Sequence, residues 1–208
     1  MCNRFRSTIV KAGKQLAEWG YEEFSDTRIQ WWSNQAREEM YPDYPGLVAR
    51  LDEGGMLVPD VMRWGFPPPP NGRQVVTNVR NTESPFWHPW LKPSQRCLVS
   101  VTEFAEPRKG EPDGNQWFKL TNDEPFCFAG IWRPWTGIRG TKADQINGEH
   151  RVFSFLTTDA NDVMRPIHPK AMPVILRRSD FDQWLTGTTK EALELQRPLP
   201  NSDLFVIG

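Results

Sequence analysis

Nineteen prolines are spread along 208 residues, and they limit how far any regular element can run. Each removes a backbone donor and holds the residue before it away from the helical region. A chain punctuated in this way builds from short elements joined by irregular backbone. Between the prolines lie short runs rich in β-branched and aromatic residues. Residues 96–104, 117–120, 126–132, 152–157 and 171–176 read as strands, with a further short one over 74–79 and another at the very start, in Cys2-Asn3-Arg4-Phe5-Arg6. Residues 47–51 and 56–64 flank Asp52-Glu53-Gly54-Gly55, a hairpin signal, because glycine accepts the positive φ that a tight turn needs. The run Pro67 to Pro70 stops the second arm as a rigid exposed loop.

Helical signals are few. Residues 84–91 read as a helix capped by Ser84, residues around Trp184 and Leu185 as one capped by Ser179 or Asp180, and 189–196 as the last. Residues 13–19 carry a weak helical pattern, and the Trp31-Trp32 pair reads as packing material. The polar stretches 109–115 and 137–149 read as solvated loops. No internal repeat and no regular βαβ alternation is present. The expected fold is therefore α+β: one domain over 1–208, with short, mainly antiparallel strands in a barrel-like sheet and peripheral helices.

Ten tryptophans and a 38% hydrophobic content argue for a packed core and against disorder. The formal net charge of -1 does not mark a nucleic-acid binder, so any phosphate binding must come from a local patch drawn from residues such as Arg4, Arg6, Arg63 and Arg80. Three widely spaced cysteines make neither a disulfide framework nor a zinc pattern, and three histidines hardly supply a metal cluster. Neither a metal nor a cofactor is expected. Cys97 and Cys127 lie in apolar runs and read as inert buried thiols, whereas nothing around Cys2 demands burial. The chain shows no leader pattern and no membrane-length apolar run, so a soluble cytoplasmic protein is expected. It also lacks GxSxG, GxGxxG, HExxH and a phosphate loop ending in GK[ST].

Four places could carry chemistry. Removal of Met1 would give Cys2 a free α-amine beside its thiol, and two nucleophiles in that 1,2-relationship can close a thiazolidine on an aldehyde. Their reference pKa values, about 7.7 to 8.0 and about 8.5, leave each partly reactive at neutral pH. His168 lies between Pro166 and Pro169 in an ordered non-helical loop, a setting that suits either a reactive group or a structural hydrogen bond. Glu106 ends a strand where a carboxyl could move protons, with Glu103 as its rival. Asn78 and Arg80 end another strand, where an amide and a guanidinium on one face could hold a sugar hydroxyl and a phosphate.

In order along the chain stand Met1-Cys2-Asn3-Arg4-Phe5, Met62-Arg63-Trp64-Gly65-Phe66, Asn78-Val79-Arg80-Asn81-Thr82-Glu83, Arg96-Cys97-Leu98-Val99, Phe104-Ala105-Glu106, Phe128-Ala129-Gly130-Ile131-Trp132, Thr157-Thr158-Asp159-Ala160 and Ile167-His168-Pro169. This series resembles the SRAP family of abasic-site DNA-protein crosslinking proteins from the first residues to about Leu185. The resemblance implies a protein, monomeric and nucleoid-associated if bacterial, that binds single-stranded DNA at an abasic site. Cys2 would be the covalent residue, with Asn78, Glu106 and His168 as its partners. Arg4, Trp64 and Arg80 match residues that line the DNA-binding surface. Lyase and self-peptidase activities belong to the same resemblance. The chain departs from the usual family pattern at Asn3, where glycine is common, and at Glu103-Phe104-Ala105-Glu106-Pro107, where a Gly-Phe-Tyr-Glu-Trp-like stretch is usual. Two rival readings are an N-terminal-cysteine peptidase and a module that binds single-stranded DNA without a covalent bond.

Overall fold

The computed structural model describes residues 2–7, 38–70, 72, 74–108, 114–141 and 144–207. The helical expectation for 13–19 and the packing role of Trp31 and Trp32 lie outside these residues, as does most of the 109–115 loop. Thirteen strands are described: β1 (Arg4–Arg6), β2 (Glu39–Met40), β3 (Pro45–Leu51), β4 (Leu57–Trp64), β5 (Asn78–Val79), β6 (Arg96–Val101), β7 (Glu103–Pro107), β8 (Asn115–Leu120), β9 (Phe126–Thr141), β10 (Asp144–Thr158), β11 (Met172–Pro173), β12 (Ile175–Leu176) and β13 (Leu204–Ile207). Two short helices, α1 (Phe181–Thr186) and α2 (Thr189–Leu193), complete the regular structure with several 3-10 turns.

Five strands close into a ring. In the order β10, β4, β3, β6, β9 each pairs with the next, and β9 pairs back with β10. Every contact in the ring is antiparallel except β4 with β10, where Arg63 meets Val152 and Trp64 meets Phe153 in parallel. The fold is thus the expected mixed α+β class with a barrel-like closed sheet and peripheral helices. A second sheet, in the order β13-β8-β7-β1-β2, carries the start of the chain.

Alternation explains how the ring is buried. Along β3, β6 and β9, Leu47, Ala49, Leu98, Ala129 and Ile131 enter one apolar cluster, which also holds Trp184 and Leu185 of α1. Val48, Cys97, Val99, Phe126 and Phe128 enter the other, which holds Phe5, Phe104 and Phe118 of the second sheet. Because side chains alternate faces, a strand covered on both sides reads as a continuous apolar run, and Arg96–Val101 is buried at every position. Arg96 and Ser100 are its polar members, and Arg96 alone is charged. Its guanidinium donates to the carbonyls of Leu91, Trp184 and Gly187 at 2.7–2.8 Å, tying the barrel to α1 and the preceding turn.

Several boundaries differ from the sequence reading. The expected hairpin is present as β3 and β4, with Gly55 at φ 78° in its turn. The run 96–104 breaks at Thr102 into β6 and β7, which belong to different sheets. The run 171–176 likewise breaks into β11, beside β10, and β12, beside β9. The 84–91 helix is only a 3-10 turn, His88–Leu91, with no side-chain cap. Pro89 removes the donor that a longer helix needs. Helix α1 is capped at Asp180 without a side-chain bond, while Thr188 and Glu191 form a full capping box on α2. Strand β13 has no counterpart in the sequence reading.

Residues 137–149 are the largest correction. They are not a loop but the outer half of a long ribbon, paired from Phe155 with Gly130 out to Asp144 with Thr141. Tertiary anchors make a polar segment into strand: Arg139 pairs with Asp43 at 2.9 Å and donates to the Gly65 carbonyl at 2.8 Å, and Trp135 stacks on His150.

Gly130 lies where β9 crosses β6. A Cβ there would sit 2.6 Å from Cys97 Sγ, 2.8 Å from Val99 Cγ2 and 3.0 Å from the Cys97 carbonyl oxygen. We expect Gly130→Ala to lower the unfolding free energy in urea by roughly 1–3 kcal/mol, the usual cost of overpacking. An unchanged midpoint would show that the two strands can part without loss.

Candidate active site

Strand β1 is only three residues long, yet it is held on both sides. Arg4, Phe5 and Arg6 face Ala105, Phe104 and Glu103 of β7, and Phe5 and Arg6 face Met40 and Glu39 of β2. Phe5 is fully buried and meets Trp64 edge-on at 5.0 Å between ring centroids. Asn3 ahead of the strand is exposed, but the chain turns back inward one residue earlier. Cys2 is buried, contrary to the expectation that nothing there requires it, and belongs to the same apolar cluster as Phe5 and Trp64.

Around Cys2 the structure gathers two of its three expected partners. Asn78 Nδ2 donates to the Cys2 carbonyl oxygen at 2.8 Å and to Thr77 Oγ1 at 2.7 Å. Its Oδ1 is buried without a hydrogen-bond partner, which leaves an acceptor available to a ligand. Glu106, not Glu103, is the carboxyl near the thiol. Burial pushes the Cys2 thiol well above its ordinary value, and the negative charge of Glu106 adds to the push. Glu106 itself is raised to about 7 by burial, against the opposing pull of the positive chain terminus. A carboxyl with that affinity for protons can give or take one near neutral pH. Glu103 points to another task, pairing with Arg6 at 2.8 Å.

His168 is fixed on a loop whose neighbours Met164, Ile167 and Met172 pack in the cluster that contains Cys2. Its backbone N–H donates to the Met164 carbonyl, and its Nδ1 lies 2.8 Å from the Ala171 carbonyl. A carbonyl only accepts, so Nδ1 is the donor in this contact.

The residues expected to line DNA are placed less uniformly. Arg4 donates to Glu39 at 2.8 Å through Nε and lies over the rings of Tyr41 and Trp117. Arg80 is exposed, beyond the end of β5, while Asn78 is buried, so the two do not share one open face. Trp64 requires a correction. Its pairing with Phe153 turns it inward, where it is fully buried against Phe5, Phe153 and Phe155, and its Nε1 donates to the Thr77 carbonyl. From there it presents no ring face to a base.

Sequence reasoning missed Glu39, which binds Arg4, Arg6 and Tyr41 together and ties β1 to β2. No signal in its polar surroundings would have found it. Cys97 and Cys127 are buried thiols outside any disulfide, as expected. Among the described residues, no group of three or more His, Cys, Asp or Glu side chains could hold a metal, and no helix is long and apolar enough to cross a membrane. A cavity of about 570 Å³ bounded by Phe126, Arg177 and Asp203 includes none of the four chemical candidates in its lining.

The site thus sets a buried cysteine from the start of the chain beside a buried carboxyl, on a closed mixed barrel. The chain belongs to the family described as SOS response associated peptidase (SRAP), whose model matches residues 1–207. Solved structures share the fold. A protein from Bordetella bronchiseptica is 20% identical with a TM-score of 0.74, covering 99% of this chain and 98% of that one. One from Bacteroides thetaiotaomicron is 21% identical at 0.73, covering 99% and 90%. A phage-related protein of Bordetella bronchiseptica is 19% identical at 0.66, covering 99% and 93%. No curated protein sequence matches the chain.

Glu106 makes stability depend on pH. Between its ordinary value of 4.5 and its folded value of about 7, the native state keeps a proton that the unfolded chain has lost, so stability falls as pH rises through that window. The slope from this group is at most about 1.4 kcal/mol per pH unit. Urea titrations between pH 5 and 8 should show the decline in the wild type and a flatter profile in Glu106→Gln; equal slopes would contradict the assignment.

Proposed function

We propose that the protein captures abasic sites in single-stranded DNA by forming a thiazolidine between Cys2 and the ring-opened sugar. The observation that carries this reading is the buried grouping of Cys2 with Asn78 and Glu106, in which the carboxyl is poised near neutral pH. The family's name ties it to the DNA-damage response.

The chemistry needs Met1 removed, so that Cys2 carries a free α-amine. That amine adds to the C1′ aldehyde, and the carbinolamine loses water to give an iminium ion. Glu106 donates the proton that leaves with the water. The thiol then adds to the same carbon: sulfur forms the new bond, its proton passes to Glu106, and the iminium nitrogen becomes the neutral ring amine. One water is released overall, and nothing is oxidised or reduced. A thiol raised by burial is a poor standing nucleophile, but an iminium cation two carbons away favours its ionisation at the moment of closure. Asn78 Oδ1 accepts a sugar hydroxyl, and His168 orients the sugar and the neighbouring phosphate. Arg4 and Arg80 supply positive charge along the strand, and Trp64 supports the site from beneath.

The same raised thiol speaks against a peptidase that depends on a resident thiolate. Acetylating the α-amine separates the two, since it stops ring closure but spares a reaction at sulfur alone.

Intact mass measurement under denaturing conditions, with an oligonucleotide bearing one abasic site, tests the proposal. The expected adduct weighs protein plus oligonucleotide less one water, is absent in Cys2→Ala, and forms on the order of 10²-fold more slowly in Glu106→Gln, as loss of a proton-transfer group implies. No adduct from protein whose mass confirms the loss of Met1 would sink it.

A further inference from the structure

Strands β5 and β10 run parallel, with Asn78 opposite Phe155 and Val79 opposite Leu156. The chain therefore leaves both strands at the same end, and the residues just past that end meet: Arg80 Nη2 donates to Asp159 Oδ1. The frame around them is firm. Gln196 Nε2 donates to the carbonyls of Arg80 and Thr157, each at 2.9 Å, while Thr82 Oγ1 donates to Gln196 Oε1 at 2.9 Å and Thr158 Oγ1 to the Gln196 carbonyl at 3.2 Å. The two charged side chains themselves stand in water, 45% and 79% exposed. They border a cavity of about 260 Å³ in which Glu83 is a second carboxylate.

A guanidinium receives a carboxylate and a phosphate through the same fork of N–H donors. Asp159 thus occupies the place on Arg80 that a phosphodiester would take. Two carboxylates against one guanidinium leave the cavity negative, so a phosphate approaching Arg80 competes with Asp159 for it. An exposed ion pair is weak enough for that exchange. Two residues before Arg80, Asn78 touches the Cys2 carbonyl, so Arg80 leaves the strand that reaches the candidate site.

We propose that Asp159 is an internal competitor for DNA phosphate at Arg80. It rests on the reading of single-stranded DNA as ligand and adds a determinant of specificity: Asp159 holds down affinity for intact strands, so that retention depends on the bond made at Cys2. The net charge of -1 fits a protein that does not gather DNA by bulk electrostatics.

Anisotropy of a labelled, undamaged oligothymidylate at low salt provides the test, using wild type, Asp159→Asn, Arg80→Gln and the double variant. Asp159→Asn should bind roughly two- to fivefold more tightly, the range set by an exposed pair. The double variant should bind no more tightly than Arg80→Gln, and the gain should fade as salt is raised. Asp162→Asn, which removes a nearby exposed charge paired with Arg165, should give no such gain. An Asp159→Asn affinity equal to wild type overturns the proposal, as does the same gain in the Arg80→Gln background or in Asp162→Asn. If wild type still forms the abasic adduct, this inference falls alone; if it neither binds nor crosslinks, the functional reading falls with it.

Discussion

Strand β6 and the first part of β9, Phe126 to Ile131, send alternate side chains into two different apolar clusters, so neither stretch has a face to give to water. The rest of the architecture answers that constraint. One cluster is covered by α1 and α2, the other by the five-stranded sheet that contains β1. Close strand contact at Gly130 and the buried guanidinium of Arg96 are the local adjustments. The site stands where the second covering layer meets the ring: Cys2 comes from the layer, Asn78 from a strand beside β10, and Glu106 from β7.

Burial at this junction sets the chemistry. Water would leave a carboxyl and a thiol near their ordinary proton affinities; the apolar surroundings raise both. Raising the carboxyl makes it useful as a proton carrier, whereas raising the thiol makes it quiet until a positive centre forms beside it. In the proposed reaction, that environment suits an ordered sequence in which nitrogen reacts before sulfur.

Much of this was legible in the sequence. The strand runs, the Gly-containing hairpin and the last helices follow from β-branched content, turn residues and caps, which act locally. Residues 137–149 were misread because their strand character comes from Gly65, 74 residues before Arg139, and from Asp43, 97 residues before Gly140. The break at Thr102 was invisible for a related reason: Thr102 and Glu103 are polar, but polarity within a strand run does not mark a change of sheet. At the site, the resemblance pointed to Cys2, Asn78, Glu106 and His168, and the structure brings the first three together. Trp64 misled because an aromatic ring that packs and one that stacks on a base look alike in a sequence. Burial decides between them, and here the pairing of Trp64 with Phe153 decides burial.

Strand β1 has a consequence for the order of folding. The β9–β10 ribbon pairs neighbours along the chain and closes early, whereas Arg4 must find Ala105 and Asn78 must find Cys2 across long loops. Contacts of such separation form after local ones, because the entropy of closing the loop is lost before any contact repays it. On that ordering Cys2 would be among the last residues to leave solvent. Enzymes that act on the head of a nascent chain have their opening during that interval, and the closing of a three-residue strand ends it.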